Sequence, residues 1–258
     1  MPGLVWVLLE GHLSPNPNMC LKQIALRKGS NGQLSKFFSK RLAPLDQLGW
    51  LSKCSPTLQS WFARNGRWIE VAAGKSLFWE ADKTDGMYGV GSGAVDVEFA
   101  PEGLEKLAIT RVAPGNWLGH GCLQPDMPRP FNLIAATDCK VYFVARQALR
   151  QLVSDQPKYW PEFHALSLRQ VLGLMTVLCE SHTLTSEARL ARLLLRLSIT
   201  TPEIEIRQTD LIALLGMSHS NVRRALKSLA DAKIIKTGYN RIFILNNKRL
   251  ELISRQSR

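Results

Sequence analysis

The chain has 258 residues, 45% of them hydrophobic, with 33 Lys and Arg against 21 Asp and Glu and a formal net charge of +12. That balance supports packed domains in place of a disordered polyelectrolyte, and the length suits two of them, each with a modest core. Cys20, Cys54, Cys122, Cys139 and Cys179 are too scattered for a disulfide framework, a Cys-x-x-Cys pair or an iron–sulfur cluster.

Residues 1 to 44 come first. Ser14-Pro15-Asn16-Pro17-Asn18 and Lys28-Gly29-Ser30-Asn31-Gly32 predict a loosely ordered extension, in which Met19 is an alternative start to Met1. The apolar run from Val5 to Leu9 is too short to span a bilayer, lacks a basic flank before it and is followed by Glu10. No membrane partner is therefore expected. Thiols without a secretory context fit the same expectation, a cytoplasmic protein.

Residues 45 to 158 form the first expected domain. From Arg67 onward, short β-prone runs alternate with glycine or proline turns: Trp68 to Val71, Ser76 to Trp79, Met87 to Val90, Ala94 to Phe99, Leu107 to Ile109, Leu133 to Ala136 and Lys140 to Val144. Such spacing predicts an antiparallel, jelly-roll-like β-roll. Residues 159 to 182 read as one long helix opening at Trp160-Pro161, where a helix tolerates proline best. Leu168, Val171, Met175 and Leu178 step by three and four residues, as a seam between two helices requires, and predict a homodimer interface. Leu166, Leu172, Leu174 and Val177 widen the apolar surface, so one face is expected on the roll and the other on a partner chain.

Residues 183 to 258 carry the most specific pattern. Leu211, Leu214 and Leu215 share one helical face; Val222, Ala225, Leu226 and Leu229 repeat it after Gly216. Glycine can end the first helix in a left-handed conformation, and Ser218 stands where it can cap the second. Alone, this fits a plain amphipathic hairpin as well as a helix-turn-helix. The next residues favour the latter: Ile234 to Thr237 and Arg241 to Leu245 flank Gly238-Tyr239-Asn240 as a β-hairpin, which after a second helix reads as a wing. The N-terminal end of the second helix is the end that enters the major groove in this motif, so Ser218, His219, Ser220, Asn221, Arg223, Arg224 and Lys227 are candidate DNA contacts. Lys236, Tyr239 and Arg241 of the wing are placed for the backbone beside the groove.

Charge follows the same division. Residues 183 to 258 hold 14 Lys and Arg against 6 Asp and Glu (+8), residues 46 to 182 hold 13 against 14 (−1), and residues 1 to 45 hold 6 against 1 (+5). Positive charge concentrated on the helix-turn-helix segment is the footprint of a phosphate-binding surface. The sequence contains no paired catalytic carboxylates, nucleophile elbow, phosphate loop or His-Glu-x-x-His motif, so a non-enzyme is expected.

A glycine-turn β-roll, a long dimer helix and a winged helix in this order resemble the CRP/FNR superfamily of bacterial transcription regulators over about Leu45 to Ile253. Asp210 to Leu229 is the strongest motif, and Thr185 to Leu197 matches the helix that supports it. The resemblance implies an α+β fold: N-terminal antiparallel β-roll, long dimerisation helix, C-terminal winged helix-turn-helix. It implies double-stranded DNA and a second copy as partners, with RNA polymerase and a small effector as further candidates. In it His219, Ser220 and Arg224 would read bases or adjacent phosphates, Arg223 is an extra basic residue, and Gln208 and Thr209 look placed for phosphate. The best-known members carry arginine where His219 stands and glutamate where Ser220 stands, so a different base preference is expected.

Members that bind cyclic AMP hold the ribose with the glutamate of a Gly-Glu-Leu segment and the cyclic phosphate with an Arg-Ser pair. The matching stretch is Gly119-His120-Gly121-Cys122-Leu123, followed by Arg129-Pro130-Phe131, which makes Gly119, His120, Gly121, Cys122 and Arg129 the candidate effector residues. The carboxylate and the hydroxyl are gone, and proline supplies neither hydroxyl nor amide to a desolvated phosphate. Cyclic AMP is therefore not expected in the usual mode. Arg129 reads either as part of a different anion site or as a surface salt-bridge residue. His120 with Cys122 could ligate haem or a metal, or be two unrelated structural residues, and no cofactor is predicted. The expectation is a homodimeric, sequence-specific regulator on a pseudo-palindromic operator. Two alternatives stay open: a ligand- or haem-sensing module acting through protein partners, and a constitutive regulator with a vestigial sensor.

Overall fold

The computed structural model describes residues 41–100 and 102–257. Most of the expected extension lies outside them, but its last residues are packed: Leu42 is 1% exposed, and the Arg41 carbonyl accepts a hydrogen bond from Trp68 Nε1 at 2.9 Å. The boundary expected at residue 45 is thus too late. Leu42 and Leu45, three apart, put two apolar side chains into one core.

Helix α1 (Pro56–Asn65) leads into strands β1 (Gly66–Val71), β2 (Ser76–Phe78), β3 (Gly86–Ser92), β4 (Val95–Phe99), β5 (Leu107–Val112), β6 (Trp117–Leu118), β7 (Asn132–Ala135) and β8 (Cys139–Ala145). They form two antiparallel four-stranded sheets, ordered β1-β8-β3-β6 and β2-β7-β4-β5. Val90 and Val141 of the first pack with Val95, Val97 and Leu133 of the second; along β4 the burial of Val95 and Val97 alternates with half-buried Asp96, as a pleated strand imposes. Every strand expected from the sequence is present, with ends shifted by a few residues. Strand β6 was not expected: two residues are too few to show a period.

Helix α2 (Arg146–Asp155) closes the roll, and α3 (Trp160–Thr183) begins with Pro161 in its first turn. The start of α3 is anchored by aromatic packing. Trp50 lies 5.9 Å from Trp117 and 5.5 Å from Phe163, and Phe62 lies 5.0 Å from Trp117. Such edge and tilted contacts contribute about 0.5–1.5 kcal/mol each beyond the area they bury. Polar bonds fix the direction: Gln170 Nε2 donates to the Trp117 carbonyl at 2.7 Å, and the Glu162 carboxylate accepts from the Ser55 amide at 2.9 Å and hydroxyl at 2.8 Å.

The C-terminal unit contains α4 (Ser186–Leu197), β9 (Glu203–Glu205), α5 (Gln208–Leu215), α6 (His219–Asp231), β10 (Ile235–Gly238), β11 (Arg241–Ile244) and α7 (Asn247–Ile253). Thr185 caps α4 by accepting from the Ala188 amide at 3.2 Å. Leu190, Leu194, Leu211, Val222, Leu226 and Ile242 share one core, which also takes in Ala113 from the roll. Buried Glu180, near the end of α3, accepts from Arg192 at 3.2 Å and Arg196 at 2.7 Å on α4. No helix among the described residues is long and apolar enough to cross a membrane.

Candidate nucleic-acid interface and sensor site

The local sequence explains the helix-turn-helix geometry. Asp210, third in α5, accepts from the Arg207 amide at 3.2 Å and so satisfies an amide at the start of the helix. Gly216 ends α5 at φ 54°, ψ 42°, in the left-handed region a Cβ disfavours. Met217 turns inward, and Ser218 Oγ accepts from the Asn221 amide at 3.3 Å to cap α6. Val222, Ala225, Leu226 and Leu229 are buried beneath the helix.

The opposite face of α6 is open. His219, Ser220, Arg223, Arg224 and Lys227 are exposed and Asn221 is half-buried, while the Ser218 and Ser220 hydroxyls lie 3.0 Å apart. Gln208 and Thr209, the first two residues of α5, are exposed as well. Among the described residues, the ion pairs engage Arg111, Arg129, Arg192, Arg196, Arg207 and Arg241, and leave Arg223, Arg224, Lys227 and Lys236 outside them.

The wing is a three-stranded sheet, β10-β11-β9, whose third strand the sequence reading missed. Its one buried residue, Ile204, sits between two glutamates, which gives too little alternation to register. Tyr239 at the hairpin tip is 93% exposed, next to Asn240 at φ 54°. Lys236 is exposed. Arg241 departs from expectation: it pairs with Glu203 of β9 at 2.6 Å, so its charge is partly spent on the wing itself.

Along α3 the apolar surface divides. Phe163 and Leu166 are buried against the roll, whereas Leu168, Val171, Leu172, Leu174, Met175 and Leu178 are each 51–60% exposed. Exposed apolar side chains grouped in this way on one helix are the kind of surface that marks an interaction site.

In the roll, Gly119 has φ 86° and precedes a short helical turn, His120–Leu123. A Cβ at Gly119 would come within 2.8 Å of the Gly86 carbonyl and 2.6 Å of Arg129 Nη1, so glycine admits the arginine. Arg129 is 2% exposed, which corrects its reading as a surface residue. Its guanidinium pairs with the Asp85 carboxylate, donates to the Gly86 carbonyl at 2.8 Å and the Gly119 carbonyl at 3.3 Å, and lies 4.1 Å from the Phe78 ring centroid. Tyr88 donates to the other Asp85 oxygen at 2.5 Å. Burial, reinforced by that hydrogen bond to Asp85, pushes the Tyr88 hydroxyl pKa up. Asp85 and Tyr88 were not anticipated, because their roles come from long-range pairing just before β3, where the Arg129 amide donates to the Asp82 carbonyl and the Ala81 amide to the Arg129 carbonyl.

Burial lowers the His120 pKa, and its Nδ1 is buried without a partner. The Cys122 thiol is buried and pushed up to about 11, mainly by burial. Such a thiol is a poor thiolate ligand. Among the described residues, no group of three or more His, Cys, Asp and Glu side chains is placed to hold a metal ion.

This architecture, a two-sheet roll, an apolar helix and a winged helix-turn-helix, is that of a sensor-linked DNA-binding protein. Comparison with known proteins agrees on both halves. Residues 68–156 match the cyclic nucleotide-binding domain family and residues 188–253 the Crp-like helix-turn-helix domain family. The chain is 24% identical over 192 residues to a CRP-like cAMP-activated global transcriptional regulator of Mycobacterium tuberculosis, covering 70% of this chain and 85% of that one. It is 24% identical over 189 residues to the cAMP-activated global transcriptional regulator of Escherichia coli, covering 70% and 90%. A CRP/FNR family transcriptional regulator from Thermus thermophilus superimposes with a TM-score of 0.58 at 22% identity, over 73% of this chain and 98% of that one. The chain thus joins a cyclic nucleotide-binding domain to a Crp-like helix-turn-helix domain and is a CRP/FNR-type DNA-binding transcription regulator, similar to regulators of a non-enzymatic family.

Proposed function

We propose that the protein is a cytoplasmic, homodimeric, sequence-specific regulator that places two copies of α6 in successive major grooves of a pseudo-palindrome, about 34 Å apart. The observation that carries this reading is the open polar face of α6, backed by a fully buried apolar face. His219, Ser220, Asn221, Arg223 and Arg224 would meet bases or adjacent phosphates. Gln208, Thr209, Ser218 and Lys227, with Lys236, Tyr239 and Arg241 of the wing, would hold the DNA backbone. The exposed stripe on α3 supports the second copy as the partner for Leu168, Val171, Met175 and Leu178. RNA polymerase and a small effector complete the set of partners.

The Mycobacterium tuberculosis and Escherichia coli relatives are cAMP-activated. Here the buried arginine of the roll already has an internal carboxylate and two carbonyls as partners, and His120 and Pro130 replace an acid and a hydroxyl. A cyclic phosphate would have to displace Asp85 and still lack further donors, so this reading excludes cyclic AMP in the usual mode. The experiment is selection of bound sequences from random double-stranded DNA by the purified chain, with and without cyclic AMP. Enrichment of a two-fold symmetric motif, unchanged by cyclic AMP, is expected. Failure to enrich any motif would remove the recognition-helix assignment.

A further inference from the structure

One buried arginine connects the sensor roll to the helix-turn-helix. Arg111 lies on β5 with its side chain 3% exposed. It holds Asp96 of β4 in a fork, Nε to Oδ1 at 2.7 Å and Nη2 to Oδ2 at 2.7 Å. The same Nη2 reaches across to Asp210 Oδ2 at 3.1 Å, and Nη1 to the Glu205 carbonyl at 3.5 Å. Asp210 is the residue that closes the start of α5 through the Arg207 amide, and it also pairs with the Arg207 guanidinium at 2.9 Å. One carboxylate therefore does two jobs, capping the first helix of the helix-turn-helix and fastening it to the roll.

Two positions along from Arg111, Ala113 is 4% exposed within the core of the DNA-binding unit, so apolar packing supports the ionic contact. Two arginines and two carboxylates make the cluster neutral, and the fork geometry of a guanidinium gives it direction as well as energy. A roll that needed only to satisfy its own charges would stop at Asp96. The docking leaves Gln208, Thr209 and the polar face of α6 exposed, so it does not block DNA. Combined with the tie from Glu180 on α3 to Arg192 and Arg196, it holds the DNA-binding unit from two directions.

We propose that Arg111 is a positioning residue for DNA recognition: through Asp210, the sensor strand β5 sets the angle at which α6 is presented and hence the half-site spacing the dimer accepts. This rests on the two-half-site reading above. The test uses the full chain and three DNA duplexes: the selected operator, the same operator with one base pair inserted between half-sites, and a single half-site. Wild type should prefer the selected spacing by about tenfold or more. Arg111→Met, which keeps bulk without charge, and Asp210→Asn, which keeps the capping oxygen, should each flatten that ratio by about tenfold while half-site affinity stays within about twofold. The double variant should be no flatter than either single one, and Arg111→Lys should recover part of the ratio. Asp210→Asn adds net positive charge and shifts all DNA alike within that twofold, so the ratio, not the affinity, is the readout. Wild-type ratios in both variants would overturn the proposal. A wild type indifferent to spacing would overturn the two-half-site reading first, and this inference with it.

Discussion

Asp85, just before β3, closes on the guanidinium of Arg129, and Tyr88 three residues later holds the far oxygen of the same carboxylate at 2.5 Å. Arg129 is buried, while the side chain of Asp85 is 51% exposed. The cation is therefore fixed and its counter-ion lies at the surface. In a family whose sensor domains include binders of a cyclic phosphate, this chain carries its own anion on the arginine.

Asp85→Ala should separate the two roles of that carboxylate. It leaves Arg129 buried without its charge partner, at a cost of about 1–3 kcal/mol, because hydrogen bonds to charged groups are expensive to leave unmade. It also opens the arginine to an external anion. Thermal unfolding should show a lower midpoint than wild type, recovered in part by millimolar phosphate, whereas phosphate should leave wild type unmoved. Equal phosphate responses in the two proteins would contradict the internal-anion account.

Arg224→Ala should lose specific binding and keep the dimer. A bidentate arginine on a base is worth about 1–3 kcal/mol of discrimination, so competition against random DNA should drop accordingly at constant salt. Lys236→Ala, on the exposed wing, should weaken all sequences alike and reduce the salt dependence by about one unit. If both variants lowered affinity without changing specificity, Arg224 would be a phosphate contact only.

The order of parts was legible because each rests on local repetition: period two in β4, three-and-four steps in α3, and a glycine at the one left-handed turn of the helix-turn-helix. What stayed hidden rests on long-range pairing. Asp96, Arg111 and Asp210 lie in three different elements, and only the folded chain brings them together. Asp85 likewise reads as an ordinary loop acid until the segment around Arg129 pairs with Ala81 and Asp82 just before it. Strand β9 and helix α7 were missed because each buries a single residue, Ile204 or Leu250, and one buried position carries no period.

The dimer seam can be broken without touching the roll. Leu178 is 60% exposed in the single chain, so Leu178→Asp removes little burial within the protomer. In a dimer the same change places two like charges in an apolar seam, costing several kcal/mol of association. Sedimentation equilibrium should show a dimer for wild type and a monomer for the variant, with unchanged circular dichroism. Operator retardation should fall with it, since one recognition helix alone spans a single half-site.

Acid should weaken the fold in two stages that two variants distinguish. Burial lowers the His120 pKa, so the folded chain refuses a proton that an unfolded histidine takes up near pH 6.5. Stability should thus fall as pH drops below about 6.5, down to the folded value. Burial works against the charged form of Asp210, but Arg207 and Arg111 outweigh it and hold the carboxyl below the ordinary 3.8. Its contribution is present above about pH 4 and is lost as pH falls through the folded value. Urea midpoints from pH 8 to pH 3 would show both stages, with His120→Gln flattening the first and Asp210→Asn the second. A wild-type slope between pH 7 and 5 in His120→Gln would assign the first stage to another group.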